Sequence, residues 1–470
     1  MGLFLLYCVY YVYSLLGFEK ISHNCVDFLS KISIMISEGE INVLTKFQFK
    51  NFKSFRDETT LSLSASKMTE NSSHLVQLGN EKVLTTAAIY GANASGKSNA
   101  IEALRFMAIY VMDSFGYGGE EKEKRGRPKK WRCTPFLFDN TSKDASSTFE
   151  VHFVTSESEG CKSYIYGFAL DNSGVAEEWL SVKARTARAY KRVFYRNRAT
   201  VELDLCGIPS NQQSNILISL ENETLIVSLG AKLKIAKLKY IRDWFFDFNY
   251  ANFGDPIENA MLSRIIPEGF DDDKCVQDRV VEYFSVFDPA IIGFDVETIP
   301  DDDNDTKHIR IDAIHRVAGT NDIATIPLAD ESAGTLKMFA LYPALQDTLQ
   351  TGGVLFVDEL NARLHPLLVR AFIETFLNPE TNPNHAQLVF TTHDAWQISD
   401  NLLRRDEIWF AEKNSDGVSK LYSLADVQDE DGAKIRKDEN YEKNYLNGKY
   451  RAIPILSRFD MFTETNSKNT

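Results

Sequence analysis

Eight residues constrain this chain more than any others. Gly91-Ala92-Asn93-Ala94-Ser95-Gly96-Lys97-Ser98 lies between an apolar run, Thr86 to Tyr90, that reads as a buried strand and a segment, Asn99 to Ala108, that reads as a helix. A strand that turns into a helix through such a loop curls backbone N–H groups around one point at the helix N-terminus, where a phosphate can sit. The pattern is a Walker A loop. Gly91, Asn93, Ala94, Ser95, Gly96 and Asn99 would line the cradle, Lys97 would reach the β- and γ-phosphates, and the Ser98 hydroxyl would hold Mg²⁺.

Three later segments extend the pattern in a fixed order: Glu331-Ser332-Ala333-Gly334-Thr335, Val354-Leu355-Phe356-Val357-Asp358-Glu359 and Thr391-Thr392-His393. The second is a short apolar run ending in two acids, as in a buried parallel strand with its functional residues at the carboxyl end. Asp358 would belong to the Mg²⁺ shell, and Glu359 would orient the attacking water. A strand merely ending in solvated acids is the bland alternative, and the Walker A loop upstream argues against it. His393 follows another apolar run, Gln387 to Thr392, and would emerge at the same edge as a sensor of the γ-phosphate.

Ser332-Ala333-Gly334-Thr335 resembles the signature motif of ABC-type ATPases, and the order of the pieces resembles the soluble heads of SMC and double-strand-break-repair ATPases. Asn51-Phe52-Lys53-Ser54-Phe55 is similar to the opening shared by those heads and RecF-like proteins. More closely, the chain resembles stand-alone bacterial ATPases, described as AAA-type ATP-binding proteins, of phage-defence and abortive-infection operons, relatives of OLD-type ATPases. The resemblance runs from about Phe47 to Ile455 and includes Tyr164-Ile165-Tyr166-Gly167-Phe168, Leu364-His365-Pro366 and Tyr445-Leu446-Asn447-Gly448-Lys449-Tyr450.

The resemblance implies an α/β fold, an ABC-type P-loop ATPase head. Phe47 to Ala65 and Thr148 to Arg198 alternate as an antiparallel β-lobe, and the inserted segment reads as a helical lobe too short, and too poor in sustained heptads, for a long coiled coil. The resemblance also implies hydrolysis of ATP with Mg²⁺ in a homodimer or higher homo-oligomer, where the signature of one subunit closes over the nucleotide of another. Ser332, Gly334 and Thr335 would then act in trans, Lys53 and Ser54 would join the nucleotide site, and Leu360 to His365 would be the D-loop, with His365 near the nucleotide. Asn361-Ala362-Arg363 departs from the small or acidic residues usual in that loop. No clear Q-loop glutamine is visible; the nearest equivalent region is Pro135-Phe136-Leu137-Phe138-Asp139.

Composition agrees with a large intracellular machine. At 470 residues and 44% hydrophobic content, the chain can bury an extensive core and should divide into lobes. Six scattered cysteines (Cys8, Cys25, Cys133, Cys161, Cys206, Cys275) form no CxxC pair, which favours reduced thiols in the cytoplasm over a disulfide framework or zinc site. A formal charge of −14 opposes general adhesion to nucleic acid, so any DNA contact must be local. Lys124 to Arg132 resembles an AT-hook, in which Arg125, Arg127, Lys129 and Lys130 would meet a minor groove; a solvated connector is the alternative and the one favoured. A second basic stretch, Lys183 to Arg198, alternates like a hairpin and could equally be a solvated sheet face.

The sequence divides into an apolar extension over 1–42, an N-terminal ATPase lobe over 43–230, a helical insertion with return strands over 231–327, and a C-terminal ATPase lobe over 328–470. Met1 to Phe18 carries no charge. It could be a packed helix or a consequence of an upstream start, both preferred to a membrane tether, and no motif requires a membrane. The 394–470 stretch lacks the acidic pattern of an appended Toprim-type nuclease. The reading is an ATP-driven dimerisation switch or sensor in anti-phage defence, controlling a separate effector such as a nuclease or toxin. A DNA-repair or recombination ATPase and a nucleotide-stabilised scaffold remain as alternatives.

Overall fold

Six strands build the sheet that carries the Walker A loop. In the computed structural model, their spatial order is Phe248–Asn252, Val354–Asp358, Gln387–Thr391, Thr86–Gly91, Ile408–Lys413 and Ser419–Ser423. The structure describes residues 41–79, 81–117, 132–157, 160–262, 265–300, 307–398, 402–429 and 432–454. The apolar N-terminal segment and the basic loop with Arg125, Arg127, Lys129 and Lys130 lie outside the described residues. The first five strands run parallel, and the last is antiparallel. Parallel strands covered on both faces must be apolar throughout, and every residue of Thr86–Gly91, Val354–Asp358 and Gln387–Thr391 is buried.

Alternate side chains of each strand serve two cores. Ala87 and Ile89 face one that includes the helix Lys97–Asp113 and the β-lobe, whereas Ala88 and Tyr90 face another with the helix Pro366–Leu377. The β-lobe is a seven-stranded antiparallel sheet in the order Glu202–Asp204, Lys191–Asn197, Gly174–Ala184, Gly160–Asp171, Ser147–Glu157, Ile41–Lys50 and Thr59–Ser62. Its apolar and polar residues alternate as the sequence indicates, and the second basic stretch is the hairpin between Gly174–Ala184 and Lys191–Asn197. Part of that charge is neutralised locally, since Arg192 lies near Glu202 and Asp204 and Arg198 pairs with Asp171.

One side chain stitches the lobe to the parallel sheet. The fully buried Gln387 accepts from Leu44 N at 2.7 Å and donates to Leu44 O and Leu84 O, each at 2.9 Å. Gln387→Leu would leave those backbone groups without this partner in a dry seam. The expected loss is about 3 kcal/mol of unfolding free energy, measurable by urea denaturation; a loss near zero would mean that water replaces the amide.

The insertion contains the helices Ala236–Trp244, Pro256–Leu262 and Lys274–Ser285, then an antiparallel sheet of Ile291–Pro300, Lys307–Arg316 and Ile323–Pro327. Phe270, Phe284 and Phe294 pack there with Phe339, which belongs to the helix Ala333–Thr351 that follows Ser332. The small lobe therefore grips the helix carrying the signature-like segment. The expected α/β architecture with antiparallel and helical lobes is the one observed. Phe248–Asn252 differs from expectation: it lies in a stretch read as helical but forms the edge of the parallel sheet. A five-residue stretch with two aromatics, Phe248 and Tyr250, close after Trp244, Phe245 and Phe246 is too short for its pattern to separate strand from buried helix. Among the described residues, no helix is long and apolar enough to cross a membrane.

Candidate nucleotide site

The Walker A loop has the geometry its glycines suggest. A Cβ on Gly96, at φ +109°, would lie 2.5 Å from Ser419 Oγ, and one on Gly91 would lie 2.3 Å from the Ala411 carbonyl oxygen. Neither position can carry a side chain without displacing the neighbouring hairpin. Ala94 is also left-handed, at φ 62°, which costs about 1 kcal/mol for a residue with a Cβ. Lys97 folds back so that its Nζ donates to Gly91 O at 2.9 Å and Ala92 O at 3.0 Å. Burial lowers its pKa to about 8, while Asp358 and Glu359 pull it upward. Ser95 Oγ is buried and has no hydrogen-bond partner. An ammonium satisfied only by loop carbonyls beside an orphaned hydroxyl fits a phosphate that would engage both. Asn93, Ala94 and Ser98 are exposed at the mouth.

The two acids stand at the carboxyl edge of the same sheet. Asp358 is buried, and its Oδ1 accepts from Thr391 Oγ1 at 2.5 Å; the same threonine oxygen accepts from Glu359 N at 2.8 Å. Glu359 turns into the left-handed region, φ 56°, which swings its carboxylate off the strand beside Gly254, where a Cβ would approach Cδ to 3.0 Å. Desolvation, then the charge of Lys97, holds the His393 imidazole below its usual pKa, so it is predominantly neutral at pH 7. Lys97, Asp358, Glu359 and His393 are close enough to perturb one another.

Three further residues shape this edge. Thr391 orients both acids. Asn361 Oδ1 accepts from Thr392 Oγ1 at 3.0 Å and from His393 N at 3.2 Å, tying the expected D-loop to the histidine loop. Asn252 pairs in register with Asp358, and its Oδ1 caps the turn through Gly254 N and Asp255 N at 3.0 and 3.1 Å. The Thr391-Thr392 pair ahead of His393 was a usable signal, because a buried hydroxyl at a strand end needs a partner. Asn252, rather than a residue of Pro135 to Asp139, is the polar side chain in register with Asp358. Phe136 N instead donates to Asn51 Oδ1 at 3.0 Å, while Phe138 packs on Gly417.

The remaining predicted residues occupy other positions. Ser332 caps its own helix, with Oγ accepting from Thr335 N at 3.1 Å and lying 2.8 Å from Thr335 Oγ1; Ser332 is exposed and Thr335 buried. Gly334 faces the Arg363 carbonyl oxygen, 3.2 Å from where its Cβ would lie. His365 caps the helix Pro366–Leu377 by accepting from Leu367 N at 3.2 Å. Lys53 pairs with Glu102 on the Walker A helix. Ser54 is buried, where its Oγ accepts from Asn99 Nδ2 and Ser419 Oγ, each at 2.8 Å. Among the described residues, no three His, Cys, Asp or Glu side chains form a metal-binding cluster. One carboxylate and one hydroxyl suit Mg²⁺, which keeps waters and takes its other ligands from phosphates.

A parallel sheet with this loop, followed by a strand ending in Asp-Glu, defines a P-loop nucleotide-binding protein. The model of the family "AAA domain, putative AbiEii toxin, Type IV TA system" matches residues 87–395, from the Walker A strand past His393. The chain belongs to that family. Among solved structures, the crystal structure of the SmcHead bound to the C-winged helix domain of ScpA is similar at 16% identity, covering 81% of this chain and 97% of that one, with a TM-score of 0.35. No curated relative matches the chain.

Proposed function

We propose that the protein hydrolyses ATP and uses nucleotide-driven association of two copies as a switch in anti-phage defence, controlling a separate effector. What supports this reading is the exposed, self-capped start of the Ser332 helix beside a nucleotide edge built from other segments. Gly91 to Ser98, Asp358, Glu359 and His393 gather at one sheet edge, whereas the Ser332 hydroxyl serves the cap of another helix and leaves that helix start exposed. A phosphate held by one chain would need a second chain to bring Ser332 and Gly334 to it. Two copies related by a two-fold axis would complete two such sites.

In this reading Lys97 and the loop N–H groups hold the triphosphate, while Ser98 and Asp358 hold Mg²⁺. The metal would neutralise charge on the phosphates. Glu359 accepts a proton from the attacking water and aims it, and the neutral His393 donates a hydrogen bond to the γ-phosphate. The family description names a putative toxin of a type IV toxin–antitoxin system, which supports a defence setting. The test is a phage challenge of cells carrying this gene with its neighbours, comparing wild type with Lys97→Ala. Plating should fall by orders of magnitude only with the wild type. Equal protection by Lys97→Ala would remove nucleotide from the mechanism.

A further inference from the structure

Lys337 lies one turn into the helix Ala333–Thr351, only 3% exposed, on the same chain's Asp358–Glu359 side. Its Nζ donates to Glu359 O at 3.1 Å, Leu360 O at 2.7 Å and Ala362 O at 2.9 Å. Burial lowers its pKa to about 7 while Glu359 pulls it upward; in the ammonium form it has three N–H donors, and the three carbonyls suit that form. The charge also lies 4.1 Å from the centroid of the Phe253 ring, a cation–π contact. A buried lysine with every donor committed to one stretch of backbone is expensive to place. It needs a purpose beyond filling space.

The backbone it holds is the strained one. Glu359 is left-handed at φ 56°, a conformation that persists in a residue with a Cβ only when its surroundings determine it. Two partners grip this residue's backbone from opposite sides: Thr391 Oγ1 accepts from its N–H, and Lys337 Nζ donates to its C=O. Together they fix where the Cα–Cβ bond, and so the carboxylate, points.

We propose that Lys337 is a positioning residue for Glu359, linking the start of the Ser332 helix to the carboxylate of its own chain through three carbonyl hydrogen bonds. A displacement of that helix when a second copy closes would be carried to the Glu359 backbone. The inference rests on the assignment of Glu359 to water activation. It gives Lys337 no contact with nucleotide or water.

The experiment compares Lys337→Met and Lys337→Gln with wild type for ATP affinity, melting temperature and single-turnover rate, alone and combined with Glu359→Gln. Misplacing the carboxylate should lower the rate by about 10- to 100-fold, with ATP affinity held within about twofold because binding and chemistry are separated. In the Glu359→Gln background, Lys337→Met should cause no further loss, because residues acting through one another are not additive. The glutamine variant retains hydrogen-bonding capacity and covers the case in which the methionine variant fails to fold. Rates within twofold of wild type for the folded variants, a parallel loss of affinity, or a loss that multiplies with that of Glu359→Gln would overturn the inference. Wild-type turnover by Glu359→Gln alone would instead remove the water-activation assignment on which it rests.

Discussion

Glu359→Gln should bind ATP about as tightly as the wild type, accumulate as a dimer in its presence and lose about 10²- to 10³-fold in turnover, the range expected for removing a general base. The substitution preserves side-chain shape and the bond between Glu359 N and Thr391 Oγ1, and it leaves the Asp358–Thr391 contact in place. It leaves the group beside Gly254 unable to take a proton and removes one of the two charges that pull the Lys97 pKa upward. Lys97→Ala should behave in the opposite way, losing ATP binding because the loop would lose its one buried cation while keeping its backbone cradle. Light scattering during size-exclusion chromatography, with phosphate release measured on the same samples, separates the two outcomes. Near-wild-type turnover by Glu359→Gln would place the base elsewhere on the edge.

The parallel sheet was readable in the sequence because its buried strands are continuous apolar runs and end in residues with distinct chemistry. Thr86 to Tyr90, Val354 to Asp358 and Gln387 to Thr391 lie where those runs fall. Ser332 and His365, expected at the nucleotide, cap the helices Ala333–Thr351 and Pro366–Leu377 of their own chain. What escaped were residues whose role depends on neighbours distant in sequence. Gln387 looks like the first polar residue of a strand, yet it binds Leu44 across the lobe boundary. Lys337 looks like an ordinary helix former, and only the fold brings the carbonyls of Glu359, Leu360 and Ala362 to it. Asn252 was hidden because the register of Phe248–Asn252 against Val354–Asp358 is a tertiary fact. Asn361, which departs from the residues usual in a D-loop, has a local use here: its amide oxygen holds Thr392 and His393.

The proposal that two chains complete each site is tested most directly by mixing two inactive proteins. Lys97→Ala disables a phosphate loop, and Ser332→Arg fills the exposed cap that would meet the phosphate of the other chain. In a mixed dimer both defects fall in one site and the other is wholly wild type. With random pairing at equal input, half of the dimers are mixed and each has one intact site, so about a quarter of wild-type ATPase activity should return. Each protein alone should stay near background. Phosphate release is followed while differently tagged chains are co-purified to establish that mixed dimers are present. Recovery on mixing supports sites shared between chains; background activity from demonstrated mixed dimers would contradict them.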